Sequence, residues 1–444
     1  MPHLSRTTLA AYAGPGIPIA AIGLPLVIYL PPYYAGALGL DLAVVGFVFF
    51  ITRVLDVPLD IMIGNWVDGT RSRWGRFRPW LAAGGAIMML ATFAVFFAGK
   101  GVGALYLFGW LMLLYAGYSA LNVTHMAWGA TLSPDYHQRS RVYSFWIAGH
   151  LVGLVSVLVL PALVGDHAAA TAATPVHLMG GFILVALPLT LIVAFIGTRE
   201  AAPPRDHPRI RLADMRRLAG SRVLIMLLVA DVLFNLAPGI TGALFQFVFG
   251  TVLGFSAAKV ATLLLLYFLS GLAALPLWLK IAARAGKHRA AALACLAGAV
   301  LHAGAFFLFD PANPWISYGA IIVAGVPYAA PGFLIRAMMA DFGDEERLAG
   351  GADRIALLNA VLTTAQKSGY AIPVGVLFPL LALVGFDARL GPANTAEALF
   401  WLQTMWIALP VLLLMPAALI LARMPLSAAR LAEVQSELAA SESR

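Results

Sequence analysis

Two acids, Asp56 and Asp60, lie four residues apart inside an apolar run that ends in "NWVDGTRSRWGRFRPW". On a helix that spacing puts both carboxylates on one face, about 6 Å apart along the axis. Arg53 precedes Asp56 by nearly one turn. Pro58, between the acids, removes one helix donor and loosens a carbonyl for coordination or a hinge. An ionisable side chain near a bilayer centre costs about 2.5 to 3.5 kcal/mol on insertion scales. Two acids on one face therefore need a basic partner, a proton or a metal cation, and the chemistry they suit is the reversible binding of a small cation. The bases available are Arg53 and Lys367, the latter well inside a later apolar run. For these two, ion pairing that only fixes helix packing is the alternative.

The elements that carry these residues follow from composition. The chain has 444 residues, of which 61% are hydrophobic and 11% charged, and its mean hydropathy is +0.87. That balance belongs to a polytopic membrane protein rather than a soluble domain. Apolar runs of at least about 18 residues predict twelve spans, near 7–33, 40–65, 80–99, 103–132, 141–165, 176–197, 221–250, 257–281, 288–309, 314–340, 355–385 and 396–423. The first run is too long for a secretory leader and has no cleavage pattern, so no signal peptide is expected. Cys295 is the single cysteine, so internal disulfides are excluded and helix packing must hold the fold.

Positive charge concentrates in "RSRWGRFR", "REAAPPRDHPRIRLADMRR" and "KIAARAGKHR", whereas the opposite loops carry only Lys100, Lys259 and Arg389. The asymmetry places both termini in the cytoplasm. It also accounts for the net charge of +8, so nucleic acid is not an expected partner. The polar stretch after the sixth span divides the chain into an N-terminal half (1–198), a cytoplasmic linker (199–220), a C-terminal half (221–424) and a cytoplasmic tail (425–444). The halves echo each other. "RWGRFR" (73–78) and "RAGKHR" (284–289) both read R-x-G-[KR]-x-R, and "YSALNVTHMAWGATLSPDYHQR" is weakly matched by "YAAPGFLIRAMMADFGDEER". The fold class expected is an all-α integral membrane protein of twelve transmembrane helices in two pseudo-symmetric six-helix halves, resembling the major facilitator superfamily.

A more specific resemblance lies in "RVLDVPLDIMIGNWVDGTRSRWGRFRPW", which is similar to the second-span signature of the glycoside, pentoside and hexuronide: cation symporters, the melibiose permease family. "LSPDYHQRSR", "ADFGDEERLAGGADRIALLNAV" and "TTAQKSGYA", where the family carries a span-11 lysine, extend the likeness across both halves. The resemblance implies that Asp56 and Asp60 bind the coupling cation. Ser119 on span 4 adds a hydroxyl oxygen of the type a hard cation prefers, and Lys367 competes with that cation electrostatically. The family often has an asparagine between the acids where this chain has Leu59. A sodium site is then one ligand short, whereas a carboxylate pair can share a proton. Protons are slightly favoured and sodium stays open. No cofactor is expected beyond the H+ or Na+ ion, and Asp56 and Asp60 are the metal ligands if the ion is Na+.

The galactoside positions are altered. Ala20 and Asn122 stand where melibiose-transporting members carry acids, Met126 replaces a sugar-stacking tryptophan, and Ile147 replaces an arginine. Melibiose itself is therefore not the expected substrate. Other polar residues can build a pocket: Asn122, His125 and Trp128 on span 4, Trp146 and His150 on span 5, Asp231, Asn235 and Gln246 on span 7, and Arg336 on span 10. Each can alternatively be a satisfied interior or packing residue. At the cytoplasmic side, Asp68, Arg71, Arg73, Gly75, Arg76 and Arg78 read as a turn that gates inward and outward states, with Arg139, Arg141, Asp344 and Arg347 as partners. A basic loop drawn to anionic headgroups is the alternative.

The function expected is cation-coupled symport of a small solute, a sugar, glycoside or sugar acid, by alternating access. The alternative is a cation-coupled carrier of a lipid-like or amphipathic molecule. An enzyme is not expected, since the chain has no phosphate-binding loop, zinc-type cluster or nucleophile elbow. Its partners are a small-molecule substrate and the bilayer of a bacterial inner membrane, and it is expected to be a monomer.

Overall fold

The computed structural model describes residues 4–132, 136–164, 173–198, 200, 220–348, 355–425 and 437. Its helices follow the apolar runs one for one: α1 Arg6–Ala37, α2 Leu42–Gly69, α3 Arg78–Phe96, α4 Ala104–Thr131, α5 Tyr136–Val164 and α6 Thr174–Gly197. After the linker come α7 Arg222–Val252, α8 Ala257–Ala285, α9 Lys287–Phe306, α10 Pro314–Glu346, α11 Ile355–Leu383 and α12 Ala396–Ala422. Hydropathy predicts α5 from residue 141 and α10 only to 340. The helices run on through "YHQRS" and "DFGDEE", because charged residues end the apolar signal without ending the hydrogen-bond ladder.

Proline shapes several of them. α1 consists of Arg6–Ala13, Gly16–Ala21, Leu30–Pro32 and two π turns, Pro25–Tyr29 and Tyr33–Ala37, an irregular course in a segment where Pro15, Pro18, Pro25, Pro31 and Pro32 supply no backbone donor. α10 is interrupted between Gly325 and Ala330, around Pro327. α2, by contrast, stays helical through Pro58.

The two halves repeat a local structure that sequence comparison overlooks. α1 ends in a π turn and α7 in another, Phe247–Val252. In each a left-handed glycine follows, Gly39 at φ 79° and Gly254 at φ 70°. A side chain then caps the next helix: Asp41 Oδ1 accepts from Val44 N at 3.0 Å, and Ser256 Oγ accepts from Lys259 N at 3.4 Å. "LGLD" and "LGFS" are the short strings responsible.

The chain divides into two compact units. The first is Met1–His207, Phe245–Thr262 and Val374–Leu399, and the second is Pro208–Leu244, Leu263–Pro373 and Phe400–Arg444. Small residues bring helices together in the first unit. A Cβ on Gly117 of α4 would lie 2.6 Å from Met88 N of α3, and one on Gly46 of α2 would lie 2.8 Å from the Val374 carbonyl oxygen of α11. Such backbone-to-backbone approach is the packing that membrane helices use. In the second unit Leu227, Phe234, Met338, Leu358 and Leu421 belong to one buried apolar cluster. Large apolar side chains such as Leu105, Ile196 and Leu383 remain exposed, as lipid-facing surfaces require.

Candidate functional site

Two aspartates, Asp56 and Asp60, lie one turn apart on α2 in the first unit. Asp56 is fully buried. Its Oδ1 accepts from Ser119 Oγ of α4 at 2.8 Å, and its Oδ2 accepts from Arg53 Nη1 at 3.2 Å. The Arg53 side chain is 19% exposed and its guanidinium lies 5.1 Å from the centroid of the Tyr115 ring, a cation–π geometry. Asp60, one turn further along, is half-buried and acts electrostatically on Arg53, as do Tyr115 and Tyr118. The structure thus gathers Arg53, Asp56, Asp60 and Ser119 as their types suggest, and adds Tyr115 and Tyr118. Neither tyrosine is marked by spacing alone, because an aromatic in an apolar span reads as packing.

The chemistry available here is exchange of a positive charge. Ser119 gives its hydrogen to Asp56, and hydroxyl and carboxylate oxygens are the ligand types a small hard cation takes. Among the described residues no cluster of three or more His, Cys, Asp or Glu side chains could hold a metal ion. A cation would have to draw on hydroxyl and carboxylate oxygens. Lys367 lies on the part of α11 that belongs to the second unit.

A second cluster joins α1, α4 and α5. Tyr12 Oη donates to the His125 carbonyl oxygen at 2.9 Å, and His125 Nε2 lies 2.7 Å from the Tyr12 carbonyl oxygen. Trp128, fully buried, meets the Tyr12 ring edge-on at 6.0 Å. Trp146 and His150 rings are 3.9 Å apart, and His150 Nδ1 lies 3.0 Å from the Trp146 carbonyl oxygen. Gly16 of α1 sits between the histidines: a Cβ there would be 2.8 Å from His150 Nδ1 and 3.6 Å from His125 Cε1. His125 Nδ1, Trp128 Nε1 and Trp146 Nε1 are buried donors or acceptors with no hydrogen-bond partner among the described residues. Asn122, on the same helix as His125, is half-buried.

In the second unit the residues singled out on spans 7 and 10 also come together. Asn235 Nδ2 donates to the Asp231 carbonyl oxygen at 2.7 Å, and Arg336 Nη2 donates to Gln366 Oε1. Arg336 and the amides of Asn235 and Gln366 act on the Asp231 carboxyl. Gln366 went unnoticed in the sequence because its neighbour Lys367 is the residue the family motif marks.

At the end of α2 the arginine-rich turn has a defined shape. Arg76 pairs with Asp68 and donates from Nε to the Val67 carbonyl oxygen at 3.1 Å. Arg78 Nη2 reaches the carbonyl oxygens of Phe195 and Thr198 at 3.0 and 2.8 Å. Glu200, which spacing gave no reason to select, organises the turn. Its Oε1 accepts from Arg76 N at 2.6 Å and Phe77 N at 2.7 Å, capping the N-terminus of α3. Gly75 has φ 99°, and a Cβ on it would fall on Glu200 Oε2. The echoed turn repeats the conformation, with Gly286 at φ 91° and Lys287 Nζ 2.7 Å from Asp341 Oδ2 of α10. Arg73 is exposed, and Arg141 donates to Gln138 on its own helix at 2.8 Å. The side chains of Arg139 and Arg347, most of the linker and most of the tail lie outside the described residues.

With this geometry in place, similarity to known proteins is informative. The family described as MFS/sugar transport protein matches residues 11–428. The glucuronide carrier protein homolog of Escherichia coli (strain K12) is 22% identical over 420 residues, covering 93% of this chain and 90% of its own length. The raffinose carrier protein of Pediococcus pentosaceus is 25% identical over 397 residues, covering 84% of this chain and 61% of its own. The lactose permease of Lactobacillus delbrueckii subsp. bulgaricus is 31% identical over 220 residues, 46% of this chain and 35% of its own. Among solved structures, a bacterial homologue of the iron transporter ferroportin in an inward-facing state superimposes with a TM-score of 0.67 at 13% identity, covering 95% of this chain and 99% of that one. The nucleoside transporter NupG gives 0.65 at 12% identity over 95% and 100%. At these identities the structures speak for the fold alone.

Proposed function

Because the chain belongs to the MFS/sugar transport family, among the glycoside, pentoside and hexuronide: cation symporters, we propose that it carries a sugar, glycoside or sugar acid by symport with a cation held at Asp56, Asp60 and Ser119. It is a multi-pass membrane transporter and not an enzyme. The observation that carries the reading is the fully buried Asp56 carboxylate, shared between the Ser119 hydroxyl and the Arg53 guanidinium, with Asp60 one turn away. Arg53 pairs with Asp56, and an arriving cation would be held by the oxygens of the aspartate pair and of Ser119. Occupancy of the site would then bias the carrier between its conformations, which is the coupling alternating access needs.

The sugar-type substrate is supported by relatives named for glucuronide, raffinose and lactose. Both termini and the Arg76–Glu200 turn are assigned to the cytoplasm on charge grounds, and the turn is read as part of the inward gate. The test is uptake into proteoliposomes of a panel of neutral glycosides, hexuronides and amphiphilic lysolipids, with sodium and proton gradients imposed separately. Accumulation of a glycoside or hexuronide under one gradient supports the proposal. Accumulation of lysolipids alone, or of nothing in the panel, removes it.

A further inference from the structure

The arginines between α2 and α3 are used unevenly. Arg76 and Arg78 are half-buried and engaged, one paired with Asp68 and the other donating to the carbonyl oxygens of Phe195 and Thr198. Arg71 and Arg73 are exposed, and neither has a hydrogen bond or ion pair among the described residues. The turn that carries them is closed by hydrogen bonds. Gly75 N donates to the Ser72 carbonyl oxygen at 3.1 Å, and Trp74 N donates to Ser72 Oγ at 3.0 Å. Arg73 and Trp74 are therefore the central pair of a four-residue turn, and both are exposed.

Tryptophans gather at the same helix ends. Trp66, in the last turn of α2, stacks on Trp80, in the first turn of α3, with ring centroids 6.3 Å apart and planes 15° apart. Trp80 Nε1 donates to Thr70 Oγ1 at 2.7 Å, and Thr70 Oγ1 donates in turn to the Trp66 carbonyl oxygen at 2.7 Å, which holds the stack in place. Trp66 is nonetheless 50% exposed and Trp74 63% exposed. Indoles so placed at the end of a membrane span suit the headgroup level of a bilayer, where one side is apolar and the other wet. Leu55 and Met62, eleven and four residues before Trp66, share its face of α2 and are exposed as well. Apolar surface thus leads along α2 to the stacked pair.

The matching turn of the C-terminal half supplies a contrast. Its cations Lys280, Arg284 and Arg289 are exposed too. The nearby Trp278, however, is only 4% exposed and donates from Nε1 to the Val326 carbonyl oxygen at 2.9 Å. Positive charge is common to both turns, whereas exposed indoles accompany it only at the first.

We propose that the α2–α3 turn is a binding surface for an anionic phospholipid, with Arg71 and Arg73 holding the headgroup phosphate and Trp66, Trp74 and Trp80 packing against the glycerol and upper acyl chains. Charge complementarity selects this occupant. A zwitterionic lipid offers the same chains but no net negative charge, and a guanidinium fork takes two phosphate oxygens at once. The leaflet is the cytoplasmic one, the side assigned to this turn on charge grounds. A lipid so held would bridge the ends of α2 and α3 beside the contacts of Arg76 with Asp68 and Glu200. The surface is independent of the solute carried and of the cation that drives it.

The test is native mass spectrometry of the purified full-length protein, titrated in detergent with phosphatidylglycerol or with phosphatidylcholine of the same acyl chains. The expected result is preferential retention of phosphatidylglycerol, weakened about 30-fold in Arg71→Gln/Arg73→Gln. Lys280→Gln/Arg284→Gln, which removes the same charge from the matching turn, should leave the tightest-bound phosphatidylglycerol nearly unchanged. Trp66→Ala/Trp74→Ala should weaken both lipids, because it removes apolar contact rather than charge. Equal loss in the two charge variants would mean that basic residues attract anionic lipid only diffusely, and overturns the proposal. Equal retention of the two lipids by wild type overturns it as well. Should the tryptophan variant not be recovered folded, the two charge variants decide, since all four of their positions are exposed.

Discussion

Ser119 on α4 donates a 2.8 Å hydrogen bond to one carboxylate oxygen of Asp56 on α2, while Arg53 holds the other oxygen at 3.2 Å. One buried acid is thus tied to a neighbouring helix through a hydroxyl and to its own helix through a charge. The two ties have different consequences when removed.

Ser119→Ala deletes a donor to a buried charged group, a contribution of about 1.5 to 3 kcal/mol, and removes a candidate cation ligand. The half-saturating cation concentration for uptake should rise about tenfold or more, with Ser119→Thr close to wild type. Uptake measured across sodium concentration and across pH checks both variants.

Arg53→Met strands the Asp56 charge. Breaking one side of a buried ion pair costs about 3 to 5 kcal/mol, and replacing both sides is far milder. Thermal unfolding in detergent should show a large loss for Arg53→Met that the double variant Arg53→Met/Asp56→Asn largely restores. Equal loss in single and double variants would mean that the pair is not what stabilises this region.

Gly75→Ala and Gly286→Ala probe the repeated turn. Both glycines have positive φ, Gly286 with ψ 152° in a region essentially reserved for glycine, so each alanine pays about 1 to 3 kcal/mol of backbone strain. Only at position 75 would the new Cβ also strike Glu200, whereas at 286 it meets the His288 ring at 3.3 Å. Gly75→Ala should therefore slow turnover more than Gly286→Ala while leaving substrate affinity less affected. Counterflow rates read against equilibrium binding make the comparison.

In the loop between α11 and α12, Arg389 Nε donates to both oxygens of Asp387, at 2.9 and 3.1 Å, and these bonds hold the Asp387 carboxyl below the usual carboxylate range. A depressed folded value means stability that is present above the unfolded pKa of about 3.9 and lost as pH falls through the folded one. Arg389→Ala should lower the melting temperature slightly at pH 7, and the difference from wild type should vanish in strong acid. The pair is exposed, so the effect at neutral pH is small.

How much of this was legible in the chain differs by feature. Among the described residues the long helices follow hydropathy closely, since a bilayer allows few other solutions for long apolar runs. The α2 acids were readable because charge inside such a run has to be explained, and Ser119 as a hydroxyl oxygen of the type a hard cation prefers. Glu200 was not, since its capping of α3 joins residues far apart in sequence and a lone acid after a span carries no pattern. The π turns ending α1 and α7 were equally hidden: "LGLD" and "LGFS" share only two letters, and their likeness lies in left-handed glycine geometry. Asp231 was noticed as a polar residue, but that Arg336 of α10 and Gln366 of α11 converge on it is a property of packing alone.

Gradient-driven accumulation compared with substrate counterflow, in proteoliposomes carrying Asp56→Asn or Asp60→Asn, tests the central claim most directly. Loss of uphill uptake with counterflow preserved is the predicted result, because the carrier still reorients but no longer binds its cation. Undiminished uphill uptake in both variants would contradict the assignment of these aspartates.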